Sequence, residues 1–267
     1  MKKIISLVIV LLLGLVILTG CGNQENKVTL TAENKVKETT NKVEENKVDE
    51  QKEQNKEEVD VQNYDFKSAA EKQMKMPEEG EQIAVMHVKD YGDIYMKFFP
   101  EIAPKAVENF VKHSKDGYYN GLTFHRIINE FMIQGGDPKG NGTGGESIWG
   151  SGFGTELDYS LVPYRGSLCM AMSSLPNSIG SQFFITQANY NEMMGQTLKR
   201  YGYPEGLLEQ YKTYGGYLSL YLQYTVFGQV YQGMDIVDKI AGVQTDSNDK
   251  PNQDVIIESI EITNYKK

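Results

Sequence analysis

Residues 22–63 contain no Phe, Trp or Tyr. A stretch of that length, rich in Lys, Glu and Asn, cannot bury enough apolar surface to offset the entropy of ordering its chain. It separates an apolar head, Met1–Cys21, from a remainder of about 200 residues that is long enough to bury a core. The chain of 267 residues carries 27 Lys plus Arg and 36 Asp plus Glu, a formal charge of −9. That balance lacks the basic face of a nucleic-acid binder. The two cysteines, Cys21 and Cys169, can build neither a disulfide framework nor a four-cysteine zinc site. His87, His113 and His125 lie too far apart for metal-ligand spacing. The expectation is therefore no metal, no cofactor and no nucleic-acid partner.

The head reads as an address. Lys2 and Lys3 precede an apolar run, Ile4–Leu18, interrupted only by Ser6 and Gly14. Its length suits a signal segment and falls short of the roughly 20 residues that span a bilayer. Leu18-Thr19-Gly20-Cys21 resembles the bacterial lipobox, which implies cleavage after residue 20 and a lipid on Cys21. An uncleaved membrane anchor is the alternative. A multi-chain lipid holds a protein firmly on a membrane. The body of the protein is then expected outside the cytoplasm, lipid-anchored to the cell membrane.

Residues 21–63 are expected to form a disordered tether. Asn-Lys-Val recurs at 26, 34, 41 and 46, too irregularly for a heptad seam, which leaves a coiled coil as the weaker reading. As a flexible coil, residues 22–63 would span ~35 Å r.m.s.. Residues 22–80 have a net charge of −5, which disfavours adhesion to anionic lipid. Residues 64–80 are expected to lead into the domain through a short helix, Tyr64–Met76, broken by Pro77 and Gly80.

From residue 81 the pattern changes to short strands. Ile83–Val88 alternates, and Asp93–Phe99 places Ile94, Met96 and Phe98 on one face; Asp90-Tyr91-Gly92-Asp93 joins the two as a hairpin. Pro104 opens a helix that buries Ala103, Val107, Phe110 and Val111 and stops at Gly117. Further strands are expected at Phe124–Ile128, Phe131–Gln134, Leu168–Met172, Phe183–Thr186, Thr225–Val230 and Val255–Ile262, and a second helix at Met234–Ala241. Many short strands with glycine-rich turns and two main helices read as a mainly β closed barrel or sandwich.

Four blocks carry the chemistry. The first is Phe124-His-Arg-Ile-Ile-Asn-Glu-Phe-Met-Ile-Gln-Gly-Gly-Asp137. The second, from Gly140 to Gly150, satisfies G-x-G-x-x-G at Gly140, Gly142 and Gly145. No helix-forming run follows it and no βαβ unit surrounds it, so it is read as a loop and not as a dinucleotide site. The third runs Met170-Ala-Met172 and Pro176-Asn-Ser-Ile-Gly-Ser-Gln-Phe-Phe-Ile-Thr186. The fourth is Val226-Phe-Gly-Gln-Val230. Taken singly, Arg126 reads as an outward-facing strand residue, and Phe131, Met132 and Ile133 as core.

In this order the blocks resemble the cyclophilin family of peptidyl-prolyl cis/trans isomerases, over about Gln82 to Ile262. The resemblance implies an eight-stranded closed antiparallel barrel capped by two α-helices. It implies rotation about X-Pro bonds as the activity, on proline-containing segments of unfolded or secreted proteins. By the same resemblance Arg126 is the catalytic donor, with Gln134 helping to hold it and the substrate carbonyl, and Phe131 beside it. Met132, Phe184 and Leu220 join Phe131 in the proline pocket. Ala171, Met172 and Gln182 form the groove wall, and Tyr224 stands where the family often has a histidine. A monomer is expected. His125 should face away from Arg126 by strand alternation and be structural. Cys169 reads as a small buried hydrophobe.

The chain departs from the family pattern between Gln187 and Tyr224, a stretch with eight of its 17 tyrosines. This insertion, about 188–222, is expected to contain a helix over Pro204–Tyr214, with Leu207, Tyr211 and Tyr214 on one face and Gly215 as its stop. Counting back from Val226 puts Leu220 in the pocket and Ser219 at a frequent tryptophan position; a Tyr217-Leu218 alignment is the alternative. Met172 replaces a frequent asparagine. The insertion either enlarges the substrate surface or covers the barrel end. The intact Arg126, Phe131, Met132, Gln134, Gln182 and Phe184 set favours an active isomerase over a binding module of the same fold.

Overall fold

The structure is a computed structural model that describes residues 60–267. The expected signal segment, the expected lipidation of Cys21 and nearly all of the expected tether lie outside the described residues. The last residues assigned to the tether, 60–63, are structured: Val61–Asn63 forms a 3-10 turn capped by Asp60, and Gln62 Nε2 donates to the carbonyl of Gly202 at 3.2 Å.

Thirteen α-helices and β-strands follow in the described residues, with a second 3-10 turn at Leu218–Leu220: α1 (Phe66–Met74), β1 (Gln82–Val88), β2 (Gly92–Phe98), α2 (Pro104–Lys115), β3 (Arg126–Ile128), β4 (Met132–Gly135), β5 (Ser167–Met170), β6 (Phe183–Thr186), α3 (Glu192–Arg200), α4 (Glu205–Tyr214), β7 (Val226–Gln232), α5 (Met234–Ala241) and β8 (Ile257–Asn264). The eight strands form one antiparallel sheet in the order β3-β4-β6-β5-β7-β2-β1-β8. The sheet curls around a core to which every strand contributes. The outermost strands, β3 and β8, share no ladder. The chain just before β3 meets that before β8 at a single bridge, Thr123 to Ile256, and Phe124 N–H donates to Val255 O at 3.0 Å. The expected closed barrel is thus a curled eight-stranded sheet whose ends touch without a continuous strand ladder.

Strand alternation sets the core. Ala84, Met86 and Val88 of β1 and Ile94, Met96 and Phe98 of β2 point inward, as period two requires. The α2 helix lays Phe110 into the middle, with ring centroids 5.2 Å from Tyr119, 5.2 Å from Phe183 and 5.4 Å from Phe227. Ala103 gives α2 no side-chain cap. Glu156, from a distant loop, accepts instead from the N–H groups of Lys105 and Ala106 at 3.0 and 2.9 Å. A carboxylate there satisfies two orphan donors and faces the positive end of the helix dipole.

The two expected capping helices, α2 and α5, are joined by three more. Of these, α1 and α4 fall inside the predicted ranges, and α3 was not anticipated. The lead-in helix and the insertion are one structure. Phe66 and Ala70 of α1 pack with Leu198, Leu207, Leu208, Tyr211, Leu218 and Tyr221 in a second core. Gln73, also on α1, is buried beside the sheet; its amide donates to Val162 O at 2.7 Å and accepts from Val162 N–H at 3.0 Å. A long polar side chain buried this way keeps its hydrogen bonds, which is the condition for its burial.

Candidate active site

The first block folds as a tight hairpin. β3 and β4 are separated by Asn129-Glu130-Phe131, with Glu130 in the left-handed region at φ +57°. The register sets Arg126 opposite Gln134 and Ile128 opposite Met132. β6 then pairs with β4, placing Phe184 opposite Gln134. Three strands thus bring the guanidinium and apolar side chains to one surface.

That surface is a cavity of ≈ 580 Å³, and Arg126, Phe131, Met132, Gln134, Ala171, Met172, Phe184, Leu220 and Tyr224 all border it. Its floor is a third apolar cluster that buries Met132, Phe184 and Leu220 with Cys169 beneath them. Burial pushes the Cys169 thiol well up, so it behaves as a small hydrophobe. Tyr224 stands edge-on to Phe184, centroids 5.6 Å apart. Leu220 reaches the cavity, whereas Leu218 belongs to the second core. Gln182 sits behind the rim. It accepts from Gln134 Nε2 at 2.9 Å, and its own amide donates to the carbonyls of Gly142 and Gly144 at 3.1 and 2.8 Å. The strand wall is therefore wired to the glycine loop.

The glycine loop is built on Asp137, which is buried and accepts from the N–H groups of Lys139, Asn141 and Gly142. Burial acts to raise its pKa, but these donors and the Gly144 N–H outweigh burial and hold it below the usual carboxylate value. At Gly145, φ is +93° and a Cβ would lie 2.2 Å from Ser181 Oγ, so only glycine fits there. No helix starts in this loop; the next element is β5.

Three features of the site differ from or add to the sequence expectation. His125 does not face away from the groove: it is buried yet borders the same cavity as Arg126. Strict alternation does not apply because β3 begins only at Arg126. Burial lowers its pKa; Asp137 opposes that, and the charges of Arg126 and Lys250 reinforce it. Tyr217 stacks on Phe131 from the insertion. The turn that follows α5 supplies Asp246, Asn248 and Lys250 to the cavity rim, and Asp249 pairs with Arg126. Gln134 faces Arg126 across the β3–β4 ladder, while its side-chain amide donates to Gln182 and Arg126 Nε donates to Asp249. Among the described residues no group of three or more His, Cys, Asp or Glu is placed to hold a metal, and no helix is long and apolar enough to cross a membrane.

Comparison with known proteins agrees with this geometry. A family model described as cyclophilin type peptidyl-prolyl cis-trans isomerase/CLD matches residues 83–262. A protein named "Putative peptidyl-prolyl cis-trans isomerase" from Staphylococcus epidermidis is 49 % identical over 179 residues, covering 67 % of this chain and 90 % of its own length. One of the same name from Staphylococcus aureus (strain USA300) is 47 % identical over 190 residues, covering 70 % and 95 %. Among solved structures, a Cryptosporidium parvum cyclophilin type peptidyl-prolyl cis-trans isomerase in the presence of the dipeptide Ala-Pro superposes with a TM-score of 0.55 at 34 % identity, covering 68 % of this chain and 98 % of that one. A second structure of that protein gives 0.56 at 33 %, covering 69 % and 99 %. The hairpin that carries Arg126, the apolar cavity beside it and the matched family model together make this chain a member of the cyclophilin-type peptidyl-prolyl cis-trans isomerases.

Proposed function

We propose that Arg126 drives the isomerisation by donating to the proline nitrogen as the X-Pro amide twists. The two planar forms differ by only ~0.5–1 kcal/mol, yet exchange takes tens of seconds or more. Rotation must break amide resonance, a barrier of ~18–20 kcal/mol. The reaction needs a site that binds the twisted amide better than either planar one. Twisting localises a lone pair on nitrogen, and a permanently charged guanidinium gains its hydrogen bond only then. Phe131, Met132, Phe184 and Leu220 would hold the proline ring on the apolar side of the cavity, beside the guanidinium. Gln134 and the Ala171–Met172 edge would hold the flanking peptide. The observation that carries this reading is the placement of Arg126 on the rim of that apolar cavity.

The remaining readings rest on the sequence. The Lys2–Cys21 pattern supports a cleaved signal and a lipid on Cys21, which would place the enzyme outside the cytoplasm on the cell membrane. Its substrates would then be X-Pro segments of unfolded secreted or surface proteins, met by a monomer on a charged tether. The Thr123–Ile256 bridge supports reading the curled sheet as a closing barrel. Exchange NMR on an Ala-Pro peptide tests the activity: wild-type chain should broaden the cis and trans signals, and Arg126→Ala should leave them sharp. Equal broadening by the two would remove Arg126 from the mechanism. Radiolabelled fatty acid incorporated by wild type and also by Cys21→Ser would refute the anchor.

A further inference from the structure

Asp249 Oδ2 accepts from Arg126 Nε at 3.2 Å. The partners are 123 residues apart in sequence, and Asp249 belongs to none of the four blocks that identify the groove. Its turn is held by its main chain and by the Asp246 carboxylate. Thr245 bridges to Pro251. Asp246 N–H donates to Lys250 O at 2.8 Å, and Asp249 N–H to Asp246 O at 3.2 Å. Asp249 O in turn accepts from Ile127 N–H at 2.8 Å, tying the turn to β3. Asp249 takes φ +63°, a conformation that Asp and Asn tolerate better than other non-glycine residues. The Asp246 carboxylate also accepts from the N–H groups of Asn248 and Lys250 at 2.8 and 3.0 Å, so the turn is fixed without the Asp249 carboxylate, which is available to the arginine.

The geometry points to Asp249 as a positioning residue for Arg126, an inference that rests on Arg126 being the catalytic donor. Guanidinium is a planar fork whose Nε–H and terminal N–H groups point along different edges. A carboxylate on Nε fixes the rotation of that plane and leaves the terminal nitrogens to the groove. Donors aimed before the reaction starts contribute most to catalysis. The two side chains are 43 % and 39 % exposed. An ion pair that exposed contributes little to folding stability. Its loss should therefore be visible in turnover and nearly invisible in unfolding, which separates positioning from mere structural support.

The test uses the full chain in detergent and an Ala-Pro peptide. Asp249→Asn keeps the side-chain shape and the tolerance for positive φ while removing the charge. We expect kcat to fall roughly fivefold to tenfold with KM within about twofold of wild type. The unfolding temperature should stay within about 1 °C. In an Arg126→Ala background, adding Asp249→Asn should change the residual rate no further, because the second residue acts only through the first. Because that background is slow, the Arg126 Nε–H signal gives a second readout: Asp249→Asn should shift it and speed its exchange with water. Wild-type turnover in Asp249→Asn, or an equal loss in the Arg126→Ala background, would overturn the inference. So would a loss of turnover that merely tracks a loss of stability. Full activity of Arg126→Ala alone would instead bring down the catalytic reading on which it rests, and the two failures are distinguishable.

Discussion

The rings of Phe131 and Tyr217 lie with centroids 4.3 Å apart at an interplanar angle of 42°. Phe131 belongs to the β3–β4 hairpin, and Tyr217 arrives from the tyrosine-rich insertion. The contact links the β3–β4 hairpin to the tyrosine-rich segment, both within the residues 83–262 that the family model matches. Tyr217 immediately precedes the 3-10 turn Leu218–Leu220, which sends Leu218 into the second core and Leu220 to the cavity. The insertion therefore supplies one wall of the cavity through Leu220 and packs against α1 in the second core.

Tyr217→Ala should weaken peptide binding more than turnover. An aromatic pair contributes ~0.5–1.5 kcal/mol beyond buried area, so KM should rise roughly twofold to tenfold while kcat changes less. Steady-state kinetics on a short Ala-Pro peptide decide it, and an unchanged KM would make Tyr217 a bystander.

Removing α1 from its seat should unfold more than a lead-in helix. Phe66 is 1 % exposed and meets Tyr64 and Tyr221 edge-on at 5.0 and 6.2 Å. Phe66→Ala should cost about 3–5 kcal/mol in urea unfolding. A cost below about 1 kcal/mol would mean that the helix is not integral to the fold.

Glu156→Ala should destabilise α2 from outside the helix. It leaves two N–H groups at the positive helix end without their carboxylate, a loss of about 1–2 kcal/mol. Glu156→Gln keeps an acceptor and should lose less. Equal losses in the two variants would show that acceptor geometry does not matter here.

The Asp137 loop predicts an acid limit. The folded-state pKa is held below the 3.8 of a free aspartate, so the unfolded chain takes up the proton first as pH falls. Asp137 therefore contributes stability that is complete above that value and is lost as pH drops through the folded pKa. Asp137→Ala should lose about 1–3 kcal/mol at neutral pH, from unsatisfied N–H groups, and should show a shallower decline in acid. Parallel acid profiles of the two proteins would contradict the assignment.

Much of the site was legible because its parts are local. Arg126, Phe131, Met132 and Gln134 lie within one hairpin, and Gln182 and Phe184 within one strand and its approach. Their spacing carries the geometry with it. Strand cores were equally readable, since Ile94, Met96 and Phe98 repeat with period two. Asp249 was not readable: a turn of Asp, Ser, Asn and Lys looks like any solvated loop, and its partner is far away in sequence. The α3 helix escaped notice because Gly195 interrupts a short run with a single buried residue, Leu198. Its signals were the Asn191 cap, which accepts from Met194 N–H at 3.0 Å, and Lys199 and Arg200 in the last turn. The union of α1 with the insertion had no sequence signal, since each segment presents an apolar face that could have met anything.

If Arg126 acts on the twisted amide and not on the bound peptide, its removal slows rotation without weakening binding. The most direct measurement separates the two in Arg126→Ala, with peptide affinity from titration and interconversion rate at saturation from exchange NMR. The expected result is a rate loss of about a hundredfold or more, with affinity within about threefold of wild type. A rate that survives the substitution, or a loss of activity explained wholly by weaker binding, would contradict it.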